Sequence, residues 1–233
     1  MDVAARLRAA VALAGRFPAL SGVDLTVAGG DVVAVEGSNG AGKTSLLRAC
    51  AGLLPVHSGT IEILGHDLRA DPAAVRRRVG VLGHAPGLYD ELNATENVRF
   101  AVRAAGAGAE LVEASLLRLG ITGRLAKIEA GRLSAGQRRR VALAAVMARA
   151  PELWLLDEPH AGLDAATRRV VDAAIDEAVR GGATVIFTSH EQALAANLAD
   201  RVVTLSGGRV RDVRSGGRRA KLTAVPKGGT HVA

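Results

Sequence analysis

Aromatic side chains are nearly missing from this chain: three Phe, one Tyr and one Trp in 233 residues, 2% of the total. That is too few for the base-stacking surface that single-stranded nucleic acid requires. Cysteine occurs once, as Cys50, so no internal disulfide can form and a reducing cytoplasm is expected. One Cys and six scattered His give no metal-ligand spacing, which argues against a structural zinc site. Long apolar runs are missing too. The longest stretch free of Asp, Glu, Lys and Arg covers residues 49–61, and Gly, Pro, His and Ser interrupt it. A bilayer-spanning helix takes about 20 mostly apolar residues, so the chain is not expected to cross a membrane by itself. Near the N-terminus, Arg6 and Arg8 precede a short apolar stretch, residues 9–14. Arg16 breaks it and no small-residue cleavage site follows, so it is not read as a secretion signal.

What is present describes a folded protein: 48% apolar and 23% charged residues. The net charge of +7 suggests a polyanion partner until its distribution is examined. From Gly208 onward seven bases face one acid, a net +6, so the preceding 207 residues are nearly neutral. No nucleic-acid partner is therefore expected. Residues 213–233 read as a basic, disordered tail, either solvated or in contact with anionic lipid headgroups.

Strand-like runs of Val, Ile and Leu alternate with helical stretches. Strands are expected at 22–27, 32–36, 60–64, 79–83, 153–157, 183–188 and 201–205, and helices at about 42–51, from Ser134, at 164–180 and from Glu191. Residues 93 to about 127 have helical periodicity, with Asn93 and Glu96 forming a helix-start box and Gly120 a stop. Such alternation implies an α/β fold with a mostly parallel sheet covered on both faces. The Gly/Ser/Arg composition after Ser206 marks the expected end of the core.

The segment Gly37-Ser38-Asn39-Gly40-Ala41-Gly42-Lys43-Thr44, with Ser45 following, fits the phosphate-binding pattern G-x-x-x-x-G-K-[ST] between a strand and a helix. Glycines let backbone N–H groups turn inward around phosphate oxygens, and the helix N-terminus adds partial positive charge. Lys43 would bridge the β- and γ-phosphates of ATP, and the Thr44 hydroxyl would ligate Mg²⁺. The apolar run 153–156 ends in Asp157 and Glu158, and a buried strand delivers such carboxylates beside the phosphate loop. Asp157 is expected at Mg²⁺ and Glu158 at the attacking water. Ser134 and Gln137 make an S-x-x-Q capping box. The same capped start, with Ala135 and Gly136 inside it, is also an anion site.

Leu133-Ser-Ala-Gly-Gln137, placed between the phosphate loop and Asp157, resembles the signature of ATP-binding-cassette (ABC) ATPases, and the resemblance runs to about Val210. It takes in Gly162-Leu163-Asp164 as the D-loop and His190 as the switch histidine. It implies a P-loop ABC fold over residues 1–212, with a small antiparallel β part and an inserted helical subdomain at about 88–140. It also implies a head-to-tail homodimer, or a heterodimer with a second ABC ATPase. Each ATP then lies between one phosphate loop and the partner subunit's signature, at the positions of Ser134 and Gly136. His190 would contact the γ-phosphate and Asp164 would communicate across the dimer. Neither half alone has enough donors for the γ-oxygens.

Three positions depart from the family pattern. His84 stands where Gln usually senses Mg²⁺ and the membrane partner, and Ala135 stands where Gly is commonest. For adenine stacking Phe17 is the available aromatic, although Leu13 or Ala14 fits an ungapped alignment better. The runs Gly83-His84-x-Pro86-Gly87 and Glu91-Leu92-x-Ala94-x-Glu96-Asn97, together with the signature, resemble the CcmA-type ATPases of haem exporters in cytochrome c maturation. The implied protein is a cytoplasmic ATPase held on the inner face of a bacterial membrane by a polytopic permease, with residues 88–127 docking that partner. Its cargo would be haem or another small hydrophobic molecule. The alternatives are the ATPase of an antibiotic or polysaccharide exporter, or a soluble ABC ATPase of the iron–sulfur assembly type.

Overall fold

The computed structural model describes residues 2–218. Two sheets organise it. The larger has six strands in the order β10-β9-β3-β8-β7-β6: β3 (Val32–Glu36), β6 (Val79–Leu82), β7 (Leu153–Leu156), β8 (Thr184–Thr188), β9 (Arg201–Ser206) and β10 (Arg209–Ser215). All adjacent pairs are parallel except β9–β10. The smaller is antiparallel, in the order β2-β1-β4-β5: β1 (Val3–Ala14), β2 (Phe17–Ala28), β4 (Val56–Ile63) and β5 (His66–Asp67).

β3, β7 and β8 are buried throughout, which explains their unbroken apolar sequences: a sheet covered on both faces has no polar side. Alternate residues serve separate cores. Val32, Ala34, Leu156, Val185 and Phe187 pack toward four helices, α2 (Ala94–Ala105), α3 (Val112–Arg118), α5 (Ala135–Arg149) and α6 (Ala165–Arg180). Val33, Val35, Leu155 and Ile186 pack toward α1 (Lys43–Cys50) and the antiparallel sheet, through Leu46, Leu47, Leu7 and Ile61. Each such large side chain, fully buried, stabilises by roughly 1.5–3 kcal/mol.

The helical region expected at 93–127 is divided into α2, α3 and α4 (Gly123–Ala126). Asn93 and Glu96 form the expected reciprocal box, with both bonds at 2.9 Å. Gly106, at φ 71°, ends α2 earlier than the periodicity suggested, and Gly120, at φ 67°, follows α3 as expected. A 3₁₀ turn at Ala130–Arg132 leads into α5, and α7 (Gln192–Leu198) precedes β9.

One strand was not expected and one boundary needs correction. The leader-like residues 9–14 belong to β1, an inner strand of the antiparallel sheet paired with both β2 and β4. Nor does the fold stop at Ser206 or at residue 212. β10 pairs with β9 as far as Ser215, and the turn between them reaches the phosphate loop through Gly208 N–H to Ala41 O (2.9 Å). The basic composition misled because two of its arginines are paired with carboxylates of the fold. Arg214 pairs with Glu36 at 3.0 Å, and Arg218 pairs with Asp176 at 3.0 Å and Asp200 at 3.2 Å. The remainder of the expected tail, 219–233, lies outside the described residues. Among those residues no helix is long and apolar enough to cross a membrane.

Candidate nucleotide site

Because β3, β7 and β8 run parallel, their C-terminal ends lie at one edge of the sheet, where open α/β sheets bind ligands. The phosphate loop leaves β3 there, and two of its glycines are required by what surrounds them. Gly37 has φ 147°, and a Cβ on it would lie 2.3 Å from the Leu205 carbonyl oxygen. Gly42 caps α1 at φ 104°, and a Cβ there would lie 2.7 Å from the Ala19 carbonyl oxygen. The loop is thus pressed between β9 and β2, and only hydrogen atoms fit at those two positions. Ser38, Asn39, Gly40 and Thr44 are exposed; Ala41 and Lys43 are buried; Ser45 is half-buried. The Lys43 ammonium sits inside the loop, donating to Gly37 O at 2.9 Å and Ser38 O at 3.2 Å.

From the loop a chain of hydrogen bonds crosses the sheet edge. Thr44 donates through Oγ1 to Asp157 Oδ2 (2.8 Å), and Thr188 donates through Oγ1 to Asp157 Oδ1 (2.7 Å). The Glu158 N–H donates back to Thr188 Oγ1 at 2.9 Å. Glu158 itself is in the left-handed region at φ 50°, a conformation that costs a non-glycine residue on the order of 1 kcal/mol and clusters at working sites. Its Oε1 lies 2.5 Å from His190 Nε2. The expected catalytic pair is therefore brought together, with Asp157 buried behind it.

Ser134 caps α5 and forms the box with Gln137: Ser134 N–H to Gln137 Oε1 is 2.8 Å, and Gln137 N–H to Ser134 Oγ is 3.3 Å. Ser134 and Ala135 are exposed. A Cβ on Gly136 would approach the Gly162 carbonyl at 3.2 Å, so the signature and the D-loop lie side by side. Asp164 caps α6, accepting from Thr167 N–H at 2.7 Å, and that bond holds its carboxyl below the usual range. Among the described residues, the hydrogen bonds of Ser134 and Gln137 stay within the α5 start and do not reach the phosphate loop. His84 is exposed on the bend after β6, and Phe17 stands 79% exposed at the start of β2.

Two participants were not anticipated from the sequence. Thr188 ends an apolar strand with a hydroxyl, the one signal that could have marked it. Arg139, 7% exposed on α5, donates to the carbonyls of Gly83 (3.2 Å), His84 (3.4 Å), Asp157 and Glu158 (2.5 Å). Burial pushes its guanidinium pKa down, opposed by the Asp157 and Glu158 charges.

The ABC transporter family model matches residues 20–161. The cytochrome c biogenesis ATP-binding export protein CcmA of Bordetella bronchiseptica is 42% identical over 191 residues, 81% of this chain and 85% of that protein. The daunorubicin resistance ATP-binding protein DrrA3 of Streptomyces coeruleorubidus is 41% identical, over 84% of this chain and 63% of that one. A solved structure titled as the ATP-binding subunit of an ABC transporter superposes with a TM-score of 0.83 at 26% identity, covering 96% of this chain and 95% of that one. With the motifs in place on the matching fold, the chain belongs to the ABC transporter family and is an ATPase of that family.

Proposed function

We propose that this ATPase works as one half of a dimer that powers an exporter of a small hydrophobic cargo, with haem the first cargo to test. The continuous chain Thr44–Asp157–Thr188–Glu158–His190 carries the reading. Glu158 orients the attacking water and holds its proton. His190, within hydrogen-bond reach of Glu158, fixes the carboxylate's direction and faces the γ-phosphate. Lys43 exchanges its two loop carbonyls for phosphate oxygens, which hold an ammonium more strongly because they are charged. The Thr44 hydroxyl and the Asp157 carboxylate offer the all-oxygen donor set that Mg²⁺ prefers, with His84 the expected third contact. That ion supplies charge neutralisation at the phosphates. The exposed α5 start, with Ser134 and Gly136, serves the partner subunit's nucleotide, and Phe17 covers adenine.

The domain reading follows: residues 1–212 as nucleotide-binding domain, extended by the observed strand to 215, with 88–140 as helical subdomain. On that subdomain Tyr89 and Phe100 are 52% and 47% exposed and pack edge to face at 4.8 Å. They support docking of a membrane permease there, which would hold the protein at the inner face of the membrane. Haem is favoured over an antibiotic by the similarity to cytochrome c biogenesis relatives.

Glu158→Gln tests the core of this reading. Nucleotide binding should persist while turnover falls by about 100-fold or more, the usual contribution of a positioned general base, and an ATP-stabilised dimer should accumulate in gel filtration. Near-normal hydrolysis removes Glu158 from its role. Cross-links from Tyr89 should map to the permease, and co-purified haem or haem-stimulated turnover should separate the cargo classes.

A further inference from the structure

Successive helix residues lie about 100° apart, so the three consecutive arginines after the signature leave α5 in three directions. Arg138 pairs with Asp90 at 2.6 Å and donates to Ala130 O at 2.7 Å; Arg140 reaches Leu119 O at 3.2 Å. Arg139 points inward. Its Nη1 faces the segment after β6, at Gly83 and His84, while its Nη2 faces the segment after β7, at Asp157 and Glu158. Its Nε is buried with no hydrogen-bond partner. A buried cation without a bonded carboxylate, with one donor unsatisfied, is expensive. What the group gains in return is four main-chain carbonyls drawn from two separate segments.

The geometry points to Arg139 as a positioning residue for hydrolysis: its guanidinium holds the Glu158 main chain in the left-handed turn and yokes that turn to the His84 segment. This rests on Glu158 acting at the attacking water. The Glu158 peptide groups are then fixed on both sides, N–H by Thr188 and C=O by Arg139. The side chain projects from this fixed turn and meets His190. The yoke has a second consequence. Gly83 and His84 belong to the stretch that leads to Leu88 and Tyr89, so movement of the helical region is transmitted to Glu158 through one rigid planar group. Lysine cannot substitute, because a single ammonium nitrogen cannot address two segments with two separate nitrogens.

Arg149 provides the control. It lies on the same helix and donates through Nη2 to Arg76 O (3.2 Å) and Val79 O (2.9 Å), and its Nε is also buried without a partner. Its carbonyls lie at the start of β6, away from the nucleotide site.

Full-length Arg139→Lys, Arg139→Ala, Arg149→Ala and Glu158→Gln should be compared for kcat, KM for ATP and thermal midpoint. Arg139→Lys should fold and keep KM within about twofold while kcat drops by about tenfold or more, the split expected when only transition-state positioning is lost. Arg149→Ala should lower the thermal midpoint and leave kcat within about twofold. Arg139→Lys turning over like the parent beside a stalled Glu158→Gln overturns this inference alone. Equal kcat losses in Arg139→Lys and Arg149→Ala also overturn it, as does failure of both Arg139 variants to fold. An active Glu158→Gln overturns the reading beneath it, and this inference with it.

Discussion

The starts of α1, after the phosphate loop, and of α5, after Leu133, both combine small residues with polar ones. At α1 the loop is pressed between β2 and β9, Lys43 is buried, and the hydroxyl of Thr44 is tied to Asp157. At α5 the first residues are exposed, and the capping bonds between Ser134 and Gln137 are local. One start is tied to the strands around it, and the other begins with exposed residues bonded only among themselves. An anion that binds at α1 meets a loop braced from below and a buried ammonium, with Ser38 to Gly40 open above it. On the proposed reading, the anion at α5 arrives with the partner subunit.

Breaking the first side should have the largest effect. Lys43→Ala should weaken ATP binding by about 100-fold or more, since charge-assisted bonds to phosphate carry that order of free energy. Calorimetry on the isolated protein checks this, and unchanged affinity would contradict the assignment of the loop. Breaking the second side should spare binding. Ser134→Asp keeps a good helix cap but places a negative charge at the proposed triphosphate contact. Turnover should fall on the order of tenfold while the isolated subunit binds ATP as before; a parental rate would show that the α5 start receives no anion.

The smallest functional effect sharpens the contrast chemically. Cys50, at the end of α1, is fully buried, and burial pushes its thiol up from 9.0 to about 12. The unfolded chain loses this proton near pH 9 and the folded chain keeps it. The contribution to stability is therefore complete below pH 9 and declines as pH rises toward 12. Folded protein should resist alkylation at pH 8.5, whereas a Ser134→Cys thiol should react within minutes. Mass spectrometry reads both sites at once, and rapid labelling of Cys50 in the folded state would sink the picture of a sealed α1.

The features legible in the sequence were those set by short-range chemistry. The phosphate loop, the Asn93–Glu96 and Ser134–Gln137 boxes and the continuous apolar strands each need particular residue types at fixed spacing. β1 escaped because its inward positions are mostly Ala, and register shifts around Ala9, which has φ 45°, disrupt a clean alternation. β10 escaped because Arg214 looks solvated until Glu36 is brought to it from distant sequence, as Asp176 and Asp200 are brought to Arg218 just beyond the strand. Arg139 was hidden among neighbours of the same type. Which of three adjacent arginines turns inward depends on the rotation of α5 against the sheet, and that is settled by packing along the whole helix.

The bond from Gly208 to Ala41 stitches the turn between β9 and β10 to the cradle. An expression design that trimmed the cationic stretch at Ser206 to improve handling would remove the staple under the loop, along with the outermost strand. Cuts or fusions placed after Arg218 leave the staple whole.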